Sequence, residues 1–218
     1  MPAIGPRLHI IALEADGSER WRHESDAWPQ LGSYDAVAMD ASGNAVISVP
    51  ISSGGSIAGL PIPEGEFVVL RLDASGAPLW IEGFAGNEPI TPTDVDIDDA
   101  GNVLVTGLYE GYIELGDSFI MPVNGSQSVF VMKLGALGDA KWARSYSDSH
   151  GLPGTPRLTA LGGGAIVSSA VRDVVHLDDG VFVDTSDNAG LVLRFSPNGS
   201  VVWSRLFEGA TGHEGYAP

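Results

Sequence analysis

The sequence contains no cysteine, which excludes disulfides, thiolate metal sites and a cysteine nucleophile. Basic residues are scarce: 11 Lys and Arg stand against 28 Asp and Glu, a formal charge of −17 at pH 7. A field of that sign repels phosphate backbones, so nucleic-acid binding is not expected. It suits solubility, cation binding or an extracellular setting. No apolar run approaches the roughly 20 residues that span a bilayer, so no membrane span is expected. The segment from Met1 to Arg7 shows no signal-peptide core. No window of about twelve residues carries a helical apolar stripe. Catalytic signatures are missing too: there is no nucleophile-elbow pattern, no phosphate loop and no dinucleotide glycine fingerprint.

Turn residues are abundant, with 29 Gly and 14 Pro in 218 residues, and they recur in phase. Tryptophans fall at Trp21, Trp80, Trp142 and Trp203, with gaps of 59, 62 and 61 residues. Each has a glycine four residues earlier: Gly17, Gly76, Gly138 and Gly199. An apolar run precedes each glycine: IIAL (10–13), VLRL (69–72), VMKL (131–134) and VLRF (192–195). This tryptophan hairpin alternates with a leading hairpin, VAMDASGNAVISV (37–49), VDIDDAGNVLVTG (95–107) and LTALGGGAIVSSA (158–170). The runs are short and rich in Val, Ile, Leu and Thr, and the turns supply residues that accept positive φ. Two hairpins per period make four strands, and a single such unit must stack on neighbours to cover its faces. The recurrent Trp is then an apolar plug between units whose indole N–H needs one acceptor.

The phrase DVDIDDAGNVLVTG…SVFVMKLGALGDAKW, within 94–147, resembles the bacterial seven-bladed-propeller-type (SBBP) repeats. The likeness runs along essentially the whole chain and is weakest at Leu161-Gly162-Gly163-Gly164, which replaces the Asp-Gly-Asn turn. The Gly-x-x-x-Trp element is also similar, more distantly, to the tryptophan-docking motif of quinoprotein propellers. Both resemblances imply a β-propeller and neither implies one activity.

The expected fold is therefore all-β, a propeller-type repeat of four-stranded antiparallel blades in about three and a half units of ~60 residues. The chain reads as one repeat domain, 1–218: a half-unit at 7–36, blades at 37–81, 95–143 and 158–204, and a tail at 205–218. The first tryptophan hairpin has no leading hairpin of its own. Either the chain is a piece of a longer array, or copies associate through open blade ends.

The sharpest acidic cluster is Asp94, Asp96, Asp98 and Asp99, the first three at alternate positions. Alternate strand residues share a face, so those three carboxylates, roughly 6–7 Å apart, could collect a hard cation such as Ca²⁺. The competing reading is a solvated acidic edge. Asp173, Asp178, Asp179, Asp184 and Asp187 form a second acidic group near His176. The histidines His9, His23, His150, His176 and His213 show no zinc spacing. Asn124 and Asn198 begin sequons, the latter at a turn. Trp28, Tyr34, Tyr109, Tyr112 and Tyr146 lie outside the repeated Trp position; Tyr109 and Tyr112, beside Glu110 and Glu114, could form a sugar-stacking patch or simply pack. The sum predicts a non-enzymatic binding or interaction scaffold for a protein or carbohydrate, with no resident cofactor beyond a possible Ca²⁺. The family resemblance adds a bacterial, periplasmic or extracellular setting. The alternatives are a self-assembling structural unit and a carbohydrate-active or quinoprotein-like propeller enzyme.

Overall fold

The computed structural model of the chain describes residues 7–26, 36–50, 54–116, 118–123, 127–150, 154–177 and 182–208, with residues 182–187 and 208 described by backbone alone. The fold is all-β, and no helix occurs among the described residues. Strands β1 (His9–Leu13) and β2 (Glu19–Glu24) form an isolated hairpin. Next come β3 (Ala36–Met39), β4 (Ala45–Pro50), a small hairpin of β5 (Ser56–Ile57) and β6 (Leu60–Pro61), then β7 (Phe67–Leu72) and β8 (Pro78–Phe84). Strands β3, β4, β7 and β8 make a four-stranded antiparallel sheet in that order.

The second set repeats this plan. Strands β9 (Ile90–Ile97) and β10 (Val103–Tyr109) precede an inserted hairpin of β11 (Ile113–Leu115) and β12 (Ser118–Ile120). Strands β13 (Ser128–Leu134) and β14 (Ala140–Asp148) follow, giving the order β9-β10-β13-β14. The third set is β15 (Arg157–Leu161), β16 (Gly164–Leu177), β17 (Phe182–Phe195) and β18 (Val201–Glu208), again paired in sequence order. The strands run a few residues past the expected boundaries in all three sets.

One difference from separate blades is plain. The second and third sets join into an open, curled sheet with a seven-strand path, because β14 pairs with the far end of β16. Strands β16 and β17 are 14 residues each, about twice their counterparts, and continue past a bulge at Arg172/Val174 where Asp173 adopts φ 49°. The extension takes the place of the inserted hairpin. In the other sets that hairpin meets the residues just past the preceding strand, through Asp26 N–H to Ser56 O at 2.9 Å after β2 and the Gly86–Ile113 bridge after β8.

The tryptophan hairpins share one construction. All four turns carry the same pair of backbone hydrogen bonds, for example Gly76 N–H to Asp73 O and Asp73 N–H to Ala77 O. Gly17, Gly76, Gly138 and Gly199 hold φ between 81° and 94°, a region that strains any residue with a Cβ. Each hairpin shifts register just before its Trp, pairing Trp21, Trp80, Trp142 and Trp203 with Ala12, Arg71, Lys133 and Arg194. Such a bulge re-aims the side chain that follows it.

The cores lie between sets. Alternate residues of β7 face opposite ways, as a strand requires: Phe67 and Val69 join a cluster with Val95, Val103, Val105 and Phe130, while Val68 and Leu70 join Ile47, Leu8 and Ile10. Val129 and Val131 turn the other face of β13 towards Val167, Leu191 and Leu193. Burial on both faces explains the continuous apolar stretches Phe67–Leu70 of β7 and Val129–Met132 of β13.

Candidate functional site

The leading hairpins of the first two sets turn on Asp-x-x-Gly-Asn. Asp98 accepts hydrogen bonds from the N–H groups of Ala100 and Asn102 and from the Asn102 side-chain amide, all at 2.9–3.0 Å. Asp40 repeats the pattern with Ser42 and Asn44. Each aspartate meets a buried cation from the facing tryptophan hairpin: Lys133 Nζ lies 2.8 Å from Asp98, and Arg71 lies 3.6 Å from Asp40. The same cations reach across to the next set, Arg71 to Gly101 O and Lys133 to Gly163 O. Burial alone would raise the Asp98 carboxyl. The Lys133 ammonium and the Asn102 amides outweigh it and hold the group below the ordinary carboxylate range. Asp40 is lowered in the same way, burial being offset by Asn44, Ser42 and Arg71.

In the third set Leu161 stands where the aspartate would be, and Arg194 donates to Leu161 O at 2.7 Å and to Ala165 O at 3.2 Å. The cation persists without its carboxylate partner.

The tryptophans join consecutive sets. Trp80 Nε1 donates to Ala136 O and Trp142 Nε1 to Pro197 O, both at 2.9 Å. Each acceptor lies two residues before the turn glycine of the following hairpin. A Cβ added to Gly76 or Gly199 would fall 2.7 Å from the ring of Trp21 or Trp142, so each glycine makes room for the tryptophan one set earlier. The residue two past the Trp adds a second contact in two joints: His23 Nε2 lies 2.7 Å from Gly76 O, and Arg144 Nε donates to Gly199 O at 2.9 Å. The Gly-x-x-x-Trp anchors are thus contacts between hairpins about 60 residues apart, not contacts within one hairpin.

Asp94, Asp96 and Asp98 are not gathered at one point. Asp94 Oδ2 accepts from Leu158 N–H at 2.9 Å, and Asp96 Oδ2 accepts from Ala160 N–H at 2.8 Å and Thr159 Oγ1 at 3.2 Å. Their other oxygens accept from Val95 and Ile97 N–H. The two carboxylates therefore serve the edge of β15, while Asp98 serves its own turn and Lys133. Among the described residues no group of three or more His, Asp or Glu is arranged to hold a metal ion.

Tyr109 takes the packed alternative and not the surface patch. It is 1% exposed and its hydroxyl donates to Ser145 Oγ at 2.8 Å, so it is a core residue apart from Tyr112. Tyr146 is buried likewise, with Ser169 2.9 Å from its hydroxyl, and burial pushes its phenol far up. Tyr112 instead lies 6.1 Å, centroid to centroid, from Phe119 on the β11–β12 hairpin. With Glu114, Ser118 and Met121 these rings line an open groove of about 650 Å³. The exposed Phe119 and Met121 were not singled out by the sequence; the signal that could have found them is the run Phe119-Ile120-Met121, since successive residues of an extended chain face opposite ways and one side of such a run is left outside.

His150 and Asp173 pair at 3.5 Å, as do His9 and Glu24. His176 lies in β16 opposite Ser147. Asp184 and Asp187 fall in β17, where only the backbone is described. Asn198 accepts from Ser196 within its turn. Trp28, Tyr34, Asn124, Asp178, Asp179 and His213 lie outside the described residues. No helix of the described residues is long and apolar enough to cross a membrane. No family model matches the chain, and no curated protein matches it.

Proposed function

We propose that this chain is a non-enzymatic interaction scaffold of β-propeller type that presents the β11–β12 hairpin to a protein partner. The joints support the propeller reading: three successive contacts, running from the first hairpin through the three sets, each seat a tryptophan on the next glycine turn, and two of them add a cation on a carbonyl. The observation that carries the binding reading is the groove at Tyr112, Glu114, Phe119 and Met121, where Phe119 and Met121 are 64% and 54% exposed. An adaptable thioether beside aromatic rings suits an apolar side chain of a partner, with Glu114 to orient it. The resemblance to bacterial propeller repeats adds export to the periplasm or exterior, which fractionation of the source cells checks.

Titrating isotope-labelled protein with apolar peptides and, separately, with neutral oligosaccharides tests the site. Peptide-induced shifts at Tyr112 and Phe119, lost in Phe119→Ala with Tm unchanged, are expected. Shifts from the oligosaccharides alone would replace the protein partner with a sugar, and shifts remote from the hairpin would overturn the site.

A further inference from the structure

Among the described residues the tryptophan joint occurs three times, and its two halves are each present once more without a counterpart. At one end stands the turn Glu14–Ser18. It makes the same two backbone hydrogen bonds as the other three turns, yet a Cβ on Gly17 would meet nothing within 4 Å. In the other three hairpins that space holds a tryptophan from the preceding set or, at Gly138, the Trp80 ring at 3.2 Å beside Glu82. The strand entering the turn agrees. Leu13 matches Leu72, Leu134 and Phe195 in register, and Ile11 matches Leu70, Met132 and Leu193. Those six are 0% exposed, whereas Leu13 is 61% and Ile11 43% exposed.

At the other end stands β18. Trp203 has the register of Trp80 and Trp142, and no carbonyl acceptor for its indole occurs among the described residues. Trp203 is 38% exposed, and Arg205 lies 6.0 Å from its ring centroid. Phe207, four residues on, matches Phe84 and Tyr146, which are 5% and 1% exposed, but is itself 64% exposed. Arg205 stands where Arg144 stands, two residues past the tryptophan, and even repeats its side contact: Arg205 donates to Ser204 O as Arg144 donates to Ala143 O.

We infer that the Trp203 face of β18 docks on the Gly17 turn of a second copy of this chain, forming head to tail a fourth instance of the tryptophan joint. The occupant is another copy because this chain carries both faces, residue for residue. Trp203 Nε1 donates to Ala15 O of the second copy, as Trp142 does to Pro197 O. Arg205 donates to Gly17 O, as Arg144 does to Gly199 O, and faces the carboxylates of Glu14 and Asp16. Phe207, Ile11 and Leu13 are covered together. Such an interface is heterologous: it closes into a ring or continues as a filament according to the rotation it imposes. It is independent of what the β11–β12 groove binds.

Sedimentation velocity of the full chain over a concentration series tests it, using two variants at exposed positions with folding checked by circular dichroism. The wild-type chain is expected to gain mass with concentration. Trp203→Ala and Leu13→Arg, each alone, are expected to stay monomeric. An equimolar mixture of the two variants retains one intact Trp203 face and one intact Gly17 face, so it is expected to give a 1:1 pair and nothing larger. A wild-type chain that stays monomeric throughout overturns the inference. So does association that both variants leave unchanged, or a mixture that remains monomeric.

Discussion

The leading turns of the second and third sets occupy the same place and are held differently. At Asp98 a carboxylate organises the turn, pairs with Lys133, and leaves that ammonium free to reach Gly163 in the next set. At Leu161 there is no carboxylate, and Arg194 spends its donors on carbonyls of its own set. A guanidinium has donors enough to satisfy itself on backbone oxygens, whereas a lysine ammonium beside a buried aspartate depends on that charge. The difference teaches that the cation on the tryptophan hairpin is common to all three sets, whereas the aspartate is indispensable only where the latch is built around it. In the first tryptophan hairpin Ala12 stands at the cation position, opposite Trp21.

The strongest way to break this comparison is Asp98→Ala. It strands Lys133, whose side chain is 7% exposed, and a loss of about 3–5 kcal/mol is expected from denaturant unfolding. Leu161→Asp, at a position 51% exposed, should change stability by about 1 kcal/mol or less. Equal effects would mean the two turns are held alike.

A smaller contrast separates Trp142, seated on Gly199, from Trp203, which has no such seat among the described residues. Trp142→Ala should cost about 2–3 kcal/mol, below the full cost of a core tryptophan because the ring is half-buried. Trp203→Ala should cost about 0.5 kcal/mol or less in dilute solution. Asp96→Ala, which leaves Ala160 N–H at the β15 edge without its carboxylate, should cost about 1–2 kcal/mol.

The latch also sets a pH dependence. Asp98 and Asp40 lie below the ordinary carboxylate value in the folded chain, so the unfolded chain binds their protons more readily. Their contribution is complete above about pH 4, the unfolded value, and drains away as pH falls through the lower folded values. Asp98→Asn should flatten that acid limb in a melting series, while Leu161→Asp should steepen it. The smallest expected effect is that of Ca²⁺ on Tm. The oxygens of Asp94 and Asp96 are already engaged by amides, so no shift is expected, and a rise that Asp94→Asn abolishes would show a cation displacing them.

Much of this was legible before the fold was known. The Gly-x-x-x-Trp spacing marked four hairpins, and the Asp-x-x-Gly-Asn phrases marked two turns whose side chains do bond locally. Both signals are short-range, because a turn is satisfied by residues within about five positions. The partners of those side chains were not legible. Trp80 meets Ala136, Asp96 meets Ala160 and Lys133 meets Gly163, pairs separated by 30 to 64 residues that no local pattern links. The sequence leaves open whether Tyr109 packs or joins a surface patch, because nothing in its neighbourhood says that Ser145 will receive its hydroxyl.

By itself, then, the sequence determined strand character, hairpin turns and the phase of the repeat, since backbone conformation at glycine and the alternation of apolar residues act over a few residues. Tertiary structure alone decided which set each tryptophan seals, where the acidic strip is spent, and that β14 runs on into β16. Those outcomes depend on which faces must be buried against which, and stacking settles that only once all the sets are in place.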